Sequence, residues 1–426
     1  MYQKGFFFKD NLNNVKRSYI FVSEEELYTP EKSYGFVTKE NIKEQELLQI
    51  PAIMSGFIPV EMETVRPIPT MFRASVGHQG NYRVEIEAEN DGSEAQIFLE
   101  RRRLYYLGKF HGVKKFVFTV NVCDIIPEWK ERIYTDTDLD IAWIGDGILV
   151  HSIEIKEAKC PTIYIAGDST VTDQPADYPY SPGCSYSGWG QMLPVYLTNK
   201  IAVSNHSHSG LTTETFRKEG HYSIIAQNIK PGDYFFIQFG HNDQKVAELK
   251  EDKGYRENLK RYISEIRSQR AYPVIVTSLA RNTWRNNGKD YQDWLEDYAN
   301  ECIRLGAELN VPVLDLHKLS MELFKENGMD GSKIWFFPGD LTHTNDYGAY
   351  LMAGFIAKEI KRVCGPSKEN CYKALADLVN LKVNVWEVDK EKLVRPVLKN
   401  AGEQVSEEPY ELKMDRLEEI IRSKKQ

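Results

Sequence analysis

The chain has 426 residues, 42% of them apolar and 27% charged, which is a soluble globular balance with room for roughly two or three domains. A formal charge of −8 argues against nucleic acid as the main partner, because that ligand wants a basic face. No stretch approaches the roughly 18 apolar residues of a membrane span, and the opening residues 1–10 lack the pattern of a signal peptide.

The six cysteines, Cys123, Cys160, Cys184, Cys302, Cys364 and Cys371, are scattered and form no C-x-x-C pair. Zinc is disfavoured, and reduced thiols in a cytoplasmic protein are expected. Cys364 and Cys371 are close enough in sequence to bridge, but that compartment argues against it.

Residues 1–158 read as a β module. Short alternating runs are broken by turn residues, and long amphipathic helices are missing. Tyr82 to Glu89 alternates apolar and charged residues, as in a strand with one wet face. Asn90-Asp91-Gly92 predicts a turn, with Ala95 to Leu99 as the returning strand. Phe116, Phe118, Val120 and Val122 share one face of a further strand, and Gly147 to Ile155 supplies the last. Such spacing predicts a β-sandwich or jelly roll, serving either to bind carbohydrate or to pack on its neighbour. Arg101-Arg102-Arg103 is read as a solvated strand end, with the capture of an acidic sugar's carboxylate as the alternative.

From 159 to 363 the pattern alternates between strand and helix. Thr162–Ala166, Ile201–Ser204, Tyr234–Phe239, Pro273–Val276 and Val311–Asp315 read as buried strands. Trp189–Tyr196, Asn258–Arg270 and Ala349–Val363 read as helices. This predicts βαβ crossovers, a parallel sheet and helices on both faces. Polar residues follow the strands: Gly167-Asp168-Ser169, Asn205 to Gly210, Gly240-His241-Asn242-Asp243, and Asp340-Leu341-Thr342-His343. Catalysis in such sheets gathers at the carboxyl ends of the strands.

These residue types fit acyl transfer. A serine hydroxyl needs an adjacent base. A histidine takes that proton and returns it to the leaving alcohol. A carboxylate fixes the imidazole tautomer. Ser169, His343 and Asp340 are therefore the candidate nucleophile, base and orienting acid. The Ser169 and Gly210 N–H groups and the Asn242 amide are the candidate oxyanion donors. No cofactor or metal is required.

The blocks Gly167-Asp168-Ser169-Thr170, Gly210, Gly240-His241-Asn242-Asp243 and Asp340-x-x-His343 resemble those of the SGNH (GDSL-type) hydrolases. Gly188-Trp189-Gly190-Gln191 and Asp340 to Asn345 make the chain similar to the rhamnogalacturonan acetylesterases within that superfamily. The resemblance covers roughly residues 160–363. It implies a three-layer α/β/α, flavodoxin-like domain with a parallel sheet. It implies the same triad and oxyanion hole, and removal of O-acetyl groups from pectin-type oligo- or polysaccharides through an acetyl-serine. The front end is expected to be a galactose-binding-like jelly roll. Leu211-Thr212 after Gly210 departs from the basic residue and serine expected there, which leaves substrate contacts open. The alternatives are an esterase or lipase for other acyl esters and a non-catalytic carbohydrate-binding protein. The α/β-hydrolase elbow G-x-S-x-G is disfavoured by Val171.

Residues 364–426 form a charged extension with helical patches. Leu412, Leu417, Ile420 and Ile421 suggest an apolar stripe packed on the same chain, with a homodimer contact as the alternative. No chemistry is expected from this part.

Overall fold

The structure, a computed structural model, describes residues 2–8, 18–38, 56–59, 69–126, 132–178, 180–388 and 409–422. The remainder of the front module and of the carboxy-terminal extension lies outside the described residues.

The amino-terminal unit is built on strands β1 (Gln3–Phe7), β2 (Ile20–Phe21), β3 (Tyr34–Val37), β4 (Phe57–Pro59), β5 (Thr70–Ser75), β6 (Gly80–Leu99), β7 (Arg103–Val122), β8 (Asp138–Ile144) and β9 (Leu149–Glu157). β6 and β7 form one long antiparallel pair, from Gly80 opposite Val122 to Leu99 opposite Arg103. The other edge of β6 is shared. Its first half pairs with β9 and its last residues pair with β8. The sheet therefore forks, with β9, β1 and β2 on one branch and β8, β5 and β3 on the other. The branches face each other across an apolar filling, in which Phe6 of β1 meets Phe72 of β5 edge-on at 5.1 Å.

Two expectations for this unit fail. The chain does not turn at Asn90-Asp91-Gly92. β6 runs straight through, and the extra residues are absorbed as a bulge between Asp91 and Glu94. The Asn90 side chain donates to the carbonyls of Ser93 and Phe110, so the turn-forming residues close the bulge instead. The actual hairpin lies at residues 100–102, where Glu100 and Arg102 hold positive φ angles of 49° and 59°. Nor is Arg101-Arg102-Arg103 a solvated strand end or a sugar clamp. Arg102 and Arg103 are buried, and all three arginines enter the neighbouring unit.

That unit carries β10 (Thr162–Gly167), β11 (Ala176–Tyr178), β12 (Ala202–Asn205), β13 (Tyr234–Gln238), β14 (Tyr272–Val276), β15 (Trp284–Arg285), β16 (Asp290–Tyr291) and β17 (Val313–Leu314). Five of them form a parallel sheet in the order β12-β10-β13-β14-β17. Side chains alternate between its faces. Ile163, Ile165, Phe236 and Val274 join one core, and Tyr164, Ala166, Phe235 and Ile275 join the other. The helices are α1 (Trp189–Met192), α2 (Thr215–Lys218), α3 (His221–Asn228), α4 (Arg256–Ser268), α5 (Glu296–Leu309), α6 (Leu316–Ser332), α7 (Asp346–Glu359), α8 (Asn370–Asp377) and α9 (Tyr410–Arg422). α1, α6, α7 and α8 pack on the first face and α3, α4 and α5 on the second, which makes three layers. Phe98, Leu104, Leu107, Ala142 and Ile144 of the front unit belong to the first core, so that core runs across the seam. Among the described residues no helix is long and apolar enough to cross a membrane. All six cysteines are free.

In the extension, Tyr372, Leu375, Ala376 and Trp386 join the first core. The predicted stripe on α9 is used only in part: Ile421 is buried and Leu417 half-buried, but Leu412 and Ile420 are exposed and Met414 is buried in their place. Tyr410 docks first, donating to the Asn282 carbonyl and accepting from the Trp284 N–H. Arg285 then pairs with Glu411, Asp415 and Glu418 along the helix.

Candidate active site

β10 ends at Gly167 and turns at once, so Ser169 stands at the carboxyl rim of the sheet. The turn is fixed from beneath. Asp168 is buried and accepts from the backbone N–H of Thr170 at 3.0 Å and from its hydroxyl at 2.8 Å. Gln238, the last residue of β13, donates to the same Thr170 hydroxyl at 2.8 Å and accepts from the Trp189 indole at 2.7 Å. The Gly188-Trp189-Gly190-Gln191 block packs α1 directly on the segment after the serine. A Cβ at Gly188 would lie 2.1 Å from the Val171 carbonyl carbon, so only glycine permits that approach.

Ser169 Oγ lies 2.8 Å from His343 Nε2, and His343 Nδ1 lies 2.9 Å from Asp340 Oδ2. The second Asp340 oxygen accepts from the N–H groups of Thr342 and His343, which closes the Asp-x-x-His turn on its own carboxylate. Burial pushes the Asp340 carboxyl up, but the hydrogen bond and charge of His343 outweigh it and leave the group below its ordinary value. The three residues named from the sequence therefore meet as one relay, with the imidazole half-buried and able to reach solvent.

The oxyanion candidates gather on the same rim. Gly210 has φ of +81°, a left-handed conformation suited to glycine. Neither the Ser169 nor the Gly210 N–H donates to another backbone carbonyl among the described residues. Asn242 donates from Nδ2 to the Leu211 carbonyl at 3.0 Å, and its Oδ1 accepts from Lys245 Nζ at 2.9 Å. An ammonium only donates, so Lys245 sets which way the amide faces and turns its NH₂ toward the Gly210–Leu211 segment. Asp243 anchors that segment by accepting from the Thr213 N–H at 2.9 Å and from its hydroxyl, and burial pushes its carboxyl up to about 7.

Several supporting residues were not singled out in the sequence. His241, fully buried, places Nδ1 3.3 Å from Asp168 Oδ2, so the Ser169 turn and the Gly240–Asp243 turn lie against each other. Burial, opposed by Asp168, pushes this imidazole down to about 4. Its place inside the Gly-His-Asn-Asp block was the available signal. Arg281, buried beyond β14, donates to the Thr342 hydroxyl at 3.0 Å and to the His241 carbonyl at 3.4 Å. Lys413 of α9 donates to the Gly339 carbonyl at 2.7 Å, beside Asp340, so the extension does touch the site. Tyr186 stacks on Phe337 with ring centroids 3.8 Å apart, and its edge meets His343 at 5.8 Å.

The hairpin arginines brace the same loops. Arg101 and Arg103 both pair with Asp173, four residues after Ser169, at 3.1 and 2.8 Å. Arg102 pairs with Asp346 at 2.6 Å and donates to the Tyr186 carbonyl at 2.7 Å. Asp346 opens α7, three residues after His343.

Residues 165–351 match the GDSL-like Lipase/Acylhydrolase family. Rhamnogalacturonan acetylesterase RhgT of Bacillus subtilis (strain 168) is 34% identical over 221 residues, 49% of this chain and 93% of that protein. The probable rhamnogalacturonan acetylesterase YesY of the same organism is 34% identical over 224 residues, covering 50% and 97%. A longer match, 25% identical over 359 residues and covering 82% and 88%, is to its uncharacterized esterase YxiM. With a matched catalytic region and near-complete coverage of a relative at 34% identity, the chain is a carboxylic ester hydrolase and belongs to the GDSL-like lipase/acylhydrolase family.

Proposed function

We propose that the protein removes O-acetyl groups from carbohydrate, specifically from pectic rhamnogalacturonan-derived oligosaccharides, through an acetyl-serine intermediate. The observation that carries the chemistry is the Ser169–His343–Asp340 relay at 2.8 and 2.9 Å. The substrate class is supported by the names of the two relatives at 34% identity. The exposed edge of the Tyr186–Phe337 stack beside His343 also supports it, as an apolar plane on which a sugar ring can rest.

In this reading His343 Nε2 takes the Ser169 proton as Oγ attacks the acetyl carbonyl carbon. The oxygen that becomes negative is met by the Ser169 and Gly210 N–H groups and the Asn242 amide. Asp340 holds His343 Nδ1–H and stabilises the imidazolium. The imidazolium returns its proton to the departing sugar oxygen, leaving acetyl-Ser169. A water then attacks the acetyl carbon, again losing its proton to His343, and acetate and free serine result. The antiparallel unit, with its forked sheet, is read as a jelly-roll sandwich that braces these loops.

The test is acetate release from acetylated rhamnogalacturonan fragments, acetylated xylan and p-nitrophenyl acetate, with Ser169→Ala alongside. The reading expects preference for the pectic fragments and loss of all turnover in the variant. Full activity in Ser169→Ala removes the mechanism. Preference for long acyl chains removes the substrate class.

A further inference from the structure

A cavity of about 450 Å³ opens at the seam between the two units, well apart from the triad. It lies beside Ile201 and Val203, at the start of β12, whereas the oxyanion segment with Gly210 follows the other end of that strand. One wall is β7, which pairs only with β6 among the described strands and so presents its outer edge. Tyr106, Phe116 and Phe118 stand there as a cluster, with Tyr106 4.6 Å from Phe116 and Phe116 stacked on Phe118 at 6.1 Å. The opposite wall is the extended segment after α8. It is held across β7 by Asn384, whose amide donates to the Leu107 carbonyl at 2.5 Å and whose approach a Cβ at Gly108 would block.

The polar groups are of the kind that read sugars. Asn199 and Asn380 place side-chain amides along the lining, while the Asn384 NH₂ is already engaged by the Leu107 carbonyl. The charge is one-sided. In a chain of net charge −8, the lining carries Lys115 and Lys382 and no Asp or Glu. Lys115 is paired with Glu85 behind it, and Lys382 stands exposed at the mouth.

We infer that this cavity is a second, non-catalytic glycan site that takes a uronate-bearing oligosaccharide. Sugar rings lie against the half-buried Tyr106 and Phe118 that flank the buried Phe116, the Asn199 and Asn380 amides meet hydroxyls, and Lys382 meets a carboxylate. Pockets of this mixed kind at a domain seam are ordinary ligand sites. The assignment rests on the carbohydrate esterase reading for its choice of ligand, and it adds a means of holding a polymer while the distant serine works.

The test titrates de-esterified oligogalacturonide into the full-length, catalytically silent Ser169→Ala protein by calorimetry at low salt. Adding Lys382→Glu is expected to weaken binding about ten-fold, as reversal of one contacting charge should, and Tyr106→Ala by a similar factor. With the serine intact, both variants keep p-nitrophenyl acetate turnover, which also shows that they fold. Their KM on acetylated polymer rises while kcat holds. Equal binding by all three proteins, no binding at millimolar ligand, or equal affinity for neutral xylo-oligosaccharide overturns the proposal. Absence of acetate release by the wild-type enzyme from pectic fragments would sink the activity reading instead, and the titration reads the site independently of it.

Discussion

Replacing Arg102 by methionine should cost far more than an arginine at a strand end normally does. Its guanidinium and the Asp346 carboxylate both have fully buried side chains, with 2.6 Å between them. The same guanidinium donates to the carbonyls of Gln174 and Tyr186 at 3.0 and 2.7 Å. Removing one partner of such a pair leaves a charge without water or counter-charge, a loss of about 3–5 kcal/mol. Tyr180 still donates to Asp346, which argues for the lower end of that range. Urea unfolding of the full chain, followed by fluorescence and by p-nitrophenyl acetate activity, measures the loss. The double variant Arg102→Met with Asp346→Leu removes both charges and should recover much of the stability, giving a coupling of about 2 kcal/mol. A single-variant cost below about 1 kcal/mol, or a double variant no better than the single, would refute the claim that this pair holds the seam.

Three further outcomes follow from the site. Asp340→Asn should keep the turn but present the wrong tautomer of His343, cutting kcat by about 10⁴-fold, which steady-state hydrolysis of p-nitrophenyl acetate reads directly. Asn242→Ala removes one oxyanion donor and should cost about 10²–10³ in kcat with little change in KM; an unchanged kcat would take Asn242 out of the hole. His241 gives a pH signature. Burial holds its imidazole down at about 4, against about 6.5 in the unfolded chain. Between those values the unfolded chain binds the extra proton, so stability rises with pH. Neutral His241 costs nothing above pH about 6.5, and the penalty grows to about 3 kcal/mol as pH falls toward about 4. His241→Gln should therefore flatten the stability profile between about pH 4 and 6.5, and an unaltered slope in urea titrations would contradict the assignment.

The catalytic sheet was legible because its signals are local. Tyr234 to Gln238 is an apolar run closed by one glutamine and followed within two residues by Gly240, and it is β13. The meeting of Ser169, His343 and Asp340 was legible because each follows a strand or precedes a helix at a telling spacing. Boundaries shifted where capping decides them. The closing helix starts at Asp346 because the Asn345 side chain accepts from the Gly348 N–H, three residues before the apolar pattern suggested. Misreadings arose where a local signal had two physical outlets. Asn90-Asp91-Gly92 satisfies a bulge as well as a turn, and the choice was made by β7, paired along the whole of β6. On α9 the apolar pattern named Leu412, but Tyr410 and Met414 face the protein, because Arg285 draws the acidic face of the helix toward β15.

The arginine triplet was illegible for a deeper reason. Sequence alone counts its charges but not its distant partners, Asp173 and Asp346, 70 and 244 residues away from Arg103 and Arg102. Those two aspartates sit in the loop after Ser169 and at the helix start after His343. Each has a buried carboxylate, and each would be an unpaired anion if the hairpin were absent. The desolvation cost of both carboxylates is thus offset from outside the catalytic sheet. Left-handed Glu100 and Arg102 aim the triplet inward, a backbone strain that the paired charges outweigh. The front unit therefore supplies counter-charge to the same two segments whose spacing sets the 2.8 Å contact between Ser169 and His343. In this chain the β unit and the parallel sheet are thus joined by buried charge pairs at the two segments that carry Ser169 and His343.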